Sequence, residues 1–326
     1  MKPKALEYLV CPSCKKELTL EEAVYDGHGK DIVEGRLHCA EQGVSFPILN
    51  GVPVFLEEFK EMDRTQKAFG NQWKLHSKGF FEKGKIFGRD EQKCLGHIEE
   101  YYGLSAERGD GNGKVFLDAG CGLAPYAKTF AKYFPGAESF GVDMSESVMH
   151  VDSEGLENLH LVRCDLRNPP FREGFADVGW SYGVLHHTPD TEDAFQRLAK
   201  IIKSDGQLYI WVYSKHNTKY SFLIRSLLVA PYRFPLKVNY VLSYLFAVPV
   251  WLVYRAHYLV RSLNKDVRPK LKKHGYLNIA TGIHDSLVPE YQNYHWVDEV
   301  KGWFKAAGFE TVEVVGDIGV VGARKR

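Results

Sequence analysis

The chain has 326 residues, 44% of them hydrophobic and 25% charged, a composition that excludes a disordered, collagen-like or disulfide-scaffolded protein. Its formal charge of +1 conceals a split: Gly206 to His284 carries twelve Lys/Arg and one acid, Asp266, for +11, which leaves −10 on the rest. One segment therefore suits an anionic or interfacial surface.

Leu6 to Leu56 reads as a small β-rich unit: CPSC, the turn DGHGKD (26–31), the strand-like GRLHC, and PILNGVPVFL with its Asn50-Gly51 turn. Residues 57–113 turn helical and aromatic, with AFGNQW at 68–73, and RGDGNG (108–113) leads into a β/α region. There the apolar runs are KVFLDAG (114–120), SFGVDMS (139–145), LHLVRCD (159–165), ADVGWSY (176–182) and GQLYIWVY (206–213). Helix- or turn-compatible text follows each of the first four, so a mostly parallel sheet with helices on both faces is expected. Residues 215–275 are an apolar, basic interruption; HWVDEVKGWFKAAGF then reads as a helix, and ETVEVVG and GVVGARK as two closing strands.

FLDAGCGLAPYA places Gly120 and Gly122 where a strand ends and a helix begins, so a ligand can approach bare backbone and free helix N–H groups. Asp143 ends the next strand and suits a pair of ribose hydroxyls. Asp165 ends the third and suits an adenine amine. Pro125 stands where a dehydrogenase fingerprint needs its third glycine, and no phosphate-cradling loop is present, so the site suits an adenosine without pyrophosphate.

These runs resemble the class I S-adenosylmethionine-dependent methyltransferases. FLDAGCG is similar to their first motif, FGVDMS to the acidic second-strand motif, RCDLRNPPF to the third and WSYGVLHHTPD to the fourth. Ala124 departs from the pattern, because many members have a third glycine there. The resemblance implies a doubly wound, seven-stranded α/β domain at 114–326, with a helical cap inserted at 215–275. It places Asp118, Gly120, Cys121 and Gly122 around the methionine part and Asp143 with Met144 at the ribose. Asp165 and Leu166 fall at the adenine, and Ser181 near the sulfonium. His186 and His187, just after the fourth strand, are candidate general bases for a hydroxyl acceptor. His284 and Tyr291 are weaker candidates.

Cys11-x-x-Cys14 with Cys39 suggests a zinc ribbon, but Gln42 stands where a fourth cysteine belongs. The unit, 1–56, is similar to the small zinc-ribbon proteins that partner methyltransferases of RNA and protein. A ribbon ahead of such a domain also occurs in a group of ribosomal-RNA guanine methyltransferases. A metal-free remnant of that unit is the reading favoured here over bound zinc.

Val238 to Tyr254 holds no charge over 17 residues, short of the ~20 that a membrane span needs. His257, Arg261 and Lys265 then fall on one helix face, which fits a membrane-surface helix or a lid over a lipid-like substrate. The expected function is methyl transfer to a hydrophobic or lipid-linked small molecule, such as a glycan, quinone-like or secondary-metabolite intermediate. RNA methylation is the alternative, as is a non-catalytic adenosylmethionine-binding protein. The opening MKPKALEYLVCPSC has no apolar stretch, so a cytoplasmic protein with reduced thiols is expected, peripheral to the membrane if 215–275 touches it.

Overall fold

The computed structural model describes residues 1–56, 67, 69–70, 90–153, 155–215, 235–262, 275–287, 289–315 and 319–324. AFGNQW apart from Phe69 and Gly70, and the 216–234 and 263–274 parts of the expected cap with Lys265, lie outside them. The chain forms two units, one of Met1–Met62, Glu91–Lys215 and Tyr291–Arg326, the other of Asp63–Asp90 and His216–Glu290.

The first unit is built on one eleven-stranded sheet. Its N-terminal strands are β1 (Thr19–Tyr25), β2 (Ile32–Cys39), β3 (Val44–Leu49) and β4 (Val52–Phe55). The β/α strands are β5 (Val115–Ala119), β6 (Glu138–Asp143), β7 (Leu159–Cys164), β8 (Ala176–Tyr182) and β9 (Ile202–Trp211). A short parallel pair, β10 (Tyr213–Ser214) and β11 (Tyr294–His295), stands apart, and β12 (Thr311–Val315) and β13 (Gly319–Ala323) close the sheet. The strand order is β1-β2-β3-β4-β7-β6-β5-β8-β9-β13-β12. The seven from β7 onward are the expected sheet, parallel up to β9, with β13 antiparallel to both β9 and β12. The N-terminal meander continues that sheet: β4 pairs in parallel with β7, Val54 opposite Arg163 and Phe55 opposite Cys164.

VFLDA of β5 is buried at every position, as a central strand covered on both faces must be. Successive residues feed opposite layers. Leu117 and Ala119 join Phe140, Phe195 and Phe304 on one side, and Phe116 joins Phe130, Trp180 and Tyr209 on the other. Helices α1 (Glu91–Tyr102), α2 (Pro125–Tyr133), α3 (Thr191–Ile201) and, beyond the second unit, α6 (Val297–Ala306) supply the covering residues. Asp190 caps α3 by accepting from the Asp193 N–H at 3.0 Å. β9 starts at Ile202, four residues before the glycine-led run in the sequence, because α3 passes straight into it. Lys203 holds that start by an ion pair with Asp177 at 2.8 Å.

The second unit contains α4 (Leu236–Ser262) packed on α5 (Tyr276–Leu287). Here the sequence reading needs correction. Pro249 and Arg255 do not end the helix, so the apolar stretch runs from Val238 to Val260, 23 residues, long enough to cross a membrane by length and composition. Arg255 lies over the Trp251 ring, its guanidinium carbon 5.4 Å from the centroid.

Candidate functional site

β5 lies between β6 and β8 in a sheet whose strand order reverses around it, and the crevice beyond its C-terminal end is where such sheets bind ligands. Gly120 (φ 82°) and Gly122 (φ 57°) take left-handed backbone there, and so does Ala124 (φ 56°), the residue standing where the resemblance calls for glycine. The backbone therefore keeps the glycine-type turn, at a cost of ~1–2 kcal/mol for an alanine.

The loop is tied to β6. Gly120 and Cys121 donate their N–H groups to the Val142 carbonyl at 2.8 and 2.9 Å, and Gly122 donates to Asp143 Oδ2 at 2.7 Å. Asp143 Oδ1 accepts from the Ser145 N–H and hydroxyl at 2.8 and 2.6 Å. Burial raises the Asp143 carboxyl pKa, against these hydrogen bonds. A side chain at Gly120 would strike Val184 at 2.3 Å, so the close approach that this glycine permits is made by the β8–α3 loop.

The other cofactor candidates take distinct places. Asp118 is buried beneath the loop and accepts from the Ala127 N–H of α2 at 3.2 Å; burial pushes its pKa up to about 8. Cys121 is buried, and burial followed by the Asp118 and Asp143 carboxylates pushes its thiol well up, which suits a packing residue. Met144 is half-buried and gives its carbonyl to Arg163 Nε at 3.2 Å. Asp165 binds Arg167 through both carboxylate oxygens, at 2.6–3.0 Å, beside the buried Leu166. Ser181 is fully buried and donates to the Ala119 carbonyl at 3.0 Å, tying β8 to the end of β5.

A short 3-10 turn, Leu185–His187, follows β8. His187 donates from Nδ1 to the Tyr291 carbonyl at 2.9 Å, which leaves Nε2 as the basic nitrogen of the neutral ring. Asn293 fastens the same segment, its N–H on the His186 carbonyl and its amide on the Thr188 carbonyl, both at 2.9 Å. His186 is fully buried, stacked on Tyr213 with centroids 3.8 Å apart, and neither ring nitrogen has a hydrogen-bond partner among the described residues. Burial holds its pKa well below the ordinary histidine range. The structure thus joins His186, His187 and Tyr291 at one strand end, although Tyr291 contributes its backbone. His284 belongs to the second unit, buried on α5 beside Tyr240. Sequence reading did not find Tyr213 or Asn293: a two-residue parallel pair leaves no periodic signal.

At the N-terminal meander, the sulfurs of Cys11, Cys14 and Cys39 lie within 4.8 Å of one another, Cys14 and Cys39 at 3.5 Å. Three thiols at this spacing fit a tetrahedral zinc, whose bonds to sulfur are ~2.3 Å. His38 does not join them: it is on the opposite face of β2, its Nδ1 3.0 Å from the Ser45 hydroxyl. His28 is exposed in the turn after β1. The knuckle touches the loop after β7, with the Val10 N–H on the Pro170 carbonyl at 2.9 Å and Lys15 Nζ on the Pro169 carbonyl at 2.8 Å.

Residues 117–210 match the family model described as a methyltransferase domain, and residues 2–51 match that of the Trm112p-like proteins. A tRNA (carboxymethyluridine(34)-5-O)-methyltransferase of Arabidopsis thaliana is 30% identical over 35% of this chain and 28% of its own length. The chain therefore spans about a quarter of the first curated relatives that it matches. A UPF0434 protein of Methylibium petroleiphilum is 35% identical over 20% of this chain and 86% of its own length. A Haloferax volcanii complex of the Trm112 methyltransferase activator and a putative methyltransferase aligns with 72% of this chain and 95% of that one, at 13% identity and a TM-score of 0.39.

Proposed function

We propose that this chain, a methyltransferase-domain protein whose N-terminal unit belongs with the Trm112p-like and UPF0434 proteins, transfers a methyl group from S-adenosylmethionine to a hydrophobic, lipid-borne acceptor. The observation that carries the transfer is the Gly120–Gly122 turn at the sheet's switch point, locked to Asp143 through the Gly122 N–H. A carboxylate offers about four acceptor sites, of which three are taken by Gly122 and Ser145. The Ser145 hydroxyl also meets the Ser147 hydroxyl at 2.5 Å, so it can turn there and free an oxygen of Asp143 for a ribose.

Bound S-adenosylmethionine would supply a methyl group on a sulfonium, open to in-line displacement. Most of the protein's contribution is then positioning. For a hydroxyl acceptor, His187 Nε2 takes the proton, since the Tyr291 carbonyl fixes the tautomer that leaves it basic. His186, buried and neutral, holds Tyr213 in place.

The acceptor class rests on the second unit. The methyltransferase-domain match, residues 117–210, lies outside that unit, and the unit exposes large apolar side chains. A second reading, RNA, is favoured by the relative named for tRNA, and by name the curated relatives lend the lipid reading less support. The match to that relative covers 35% of this chain. Labelled methyl transfer into a cell extract, fractionated into lipid, RNA, protein and small molecules, separates the two; label in RNA overturns the lipid acceptor. Asp143→Ala should weaken adenosylmethionine binding by at least about tenfold in a calorimetric titration, the loss of charge-assisted bonds worth ~1.5–3 kcal/mol. Binding without any labelled product would mark a non-catalytic protein.

A further inference from the structure

We infer that α4 and α5 embed in a lipid bilayer with anionic headgroups. The observation is an inverted pattern of burial. Among the described side chains of α4, the buried ones are Asn239, Ser243 and Ala247, small or polar residues at i, i+4 and i+8 on one stripe. Among those of α5, they are Ala280, Thr281 and His284. Three hydroxyls bond within the pair: Ser243 donates to the Asn239 carbonyl at 2.6 Å, Thr281 to the Leu277 carbonyl at 2.8 Å, and the Tyr276 hydroxyl crosses to the Tyr244 carbonyl at 2.8 Å. Large apolar side chains are the exposed ones instead, with Leu245 60%, Val253 69%, Leu259 61% and Val260 69% exposed.

A helix pair in water buries its apolar stripe and exposes its polar one. Small and polar residues at the contact with apolar ones outside is the arrangement of helices packed in lipid. Only 17% of the apolar window of α4 is buried, so it is not a core helix of a soluble domain. Its backbone hydrogen bonds are internal to the helix, which hydrocarbon requires.

The charge identifies the lipid side. Between the two helices the sequence carries Lys265, Arg268, Lys270, Lys272 and Lys273 against Asp266 alone. Such a cluster beside an apolar helix is drawn to anionic headgroups by about 1 kcal/mol per residue. The 23 apolar residues of α4 reach ~35 Å at 1.5 Å per residue, but the twelve of α5 reach only ~18 Å, against a hydrocarbon core of ~30 Å.

This inference stands apart from methyl transfer, and its test reads no activity. The full-length protein is floated with vesicles of phosphatidylcholine alone and with added phosphatidylglycerol, then washed with high salt and with alkaline carbonate. It should float with both, more strongly with phosphatidylglycerol, and stay bound through both washes. Leu245→Asp with Val253→Asp places charge on side chains already exposed, so circular dichroism should be unchanged while the bound fraction falls by at least about a hundredfold. Lys270→Gln, Lys272→Gln and Lys273→Gln together should abolish only the phosphatidylglycerol advantage. A wild-type chain that stays in the aqueous phase overturns the proposal, as does a Leu245/Val253 variant that floats normally. Oligomers that become monomers in that variant, with no vesicle binding by either protein, would assign the surface to a second copy.

Discussion

Asp118 shows how one buried group can set a pH dependence. Its folded-state pKa, about 8, exceeds its ordinary value of 3.8 because burial disfavours the charged form. Between those values the folded chain keeps a proton that the unfolded chain has lost, so stability falls as pH rises through that window. Asn at this position never ionises and can still accept from the Ala127 N–H. Asp118→Asn should therefore match the parent near pH 4 and melt higher at pH 8, by about 2–4 °C for each kcal/mol relieved. Calorimetric melts at the two pH values check this. A variant less stable than the parent at pH 8 would mean that the folded state favours the charged carboxylate. The sequence showed Asp118 only as part of a motif; its role under α2 depends on an N–H nine residues on, which no local pattern reports.

Among the elements, the cysteine knuckle and the loop after β7 form one mechanical unit. Val10 and Lys15 hold the carbonyls of Pro170 and Pro169, and that loop begins with Asp165 and Leu166. A metal held by Cys11, Cys14 and Cys39 would fix the knuckle, and through it the loop that carries Asp165 and Leu166. Stripping metal with a chelator, or Cys14→Ala, should weaken adenosylmethionine binding several-fold in a titration while Asp143 and the glycine turn stay folded. Equal affinity with and without metal, in protein shown by elemental analysis to bind zinc, would uncouple the two. This link was not legible in the sequence, where the knuckle and the loop are about 155 residues apart. The motifs at Gly120, Gly122 and Asp143 were legible because each occupies the last residues of a strand or the turn beyond it. Gln42 was legible too, as a departure, but only the packing shows that three sulfurs converge without it.

At the scale of the whole molecule, the β/α strands themselves were legible as five apolar runs and two closing ones, whereas their order in the sheet comes from the structure. What the sequence did not reveal is that the N-terminal meander shares their sheet. VPVF at 52–55 carries no sign of its partner, because a parallel pairing across a hundred residues is decided by the edge it covers. That edge is β7. With β4 on it, Ala5, Leu9, Ile32, Leu37, Ile48 and Phe55 enter the same core as Leu117 and Phe140, and Tyr8 packs edge-on against Phe140 at 5.4 Å. Burial of a Leu, Ile or Phe side chain contributes ~1.5–3 kcal/mol, so the five larger ones weigh as much as the ~5–15 kcal/mol net stability of a typical protein. Removing residues 1–56 should thus do more than delete a module: it uncovers one face of the core and leaves β7 as an unpaired strand edge, a template for association. The truncated chain should be recovered mainly as aggregate, and residues 1–56 supplied as a separate polypeptide should restore part of the soluble fraction by pairing β4 to β7 in trans. Size-exclusion chromatography of the two preparations reads this directly, and a truncated chain that is monomeric and melts at the parent temperature would show that the meander is a passenger on the sheet.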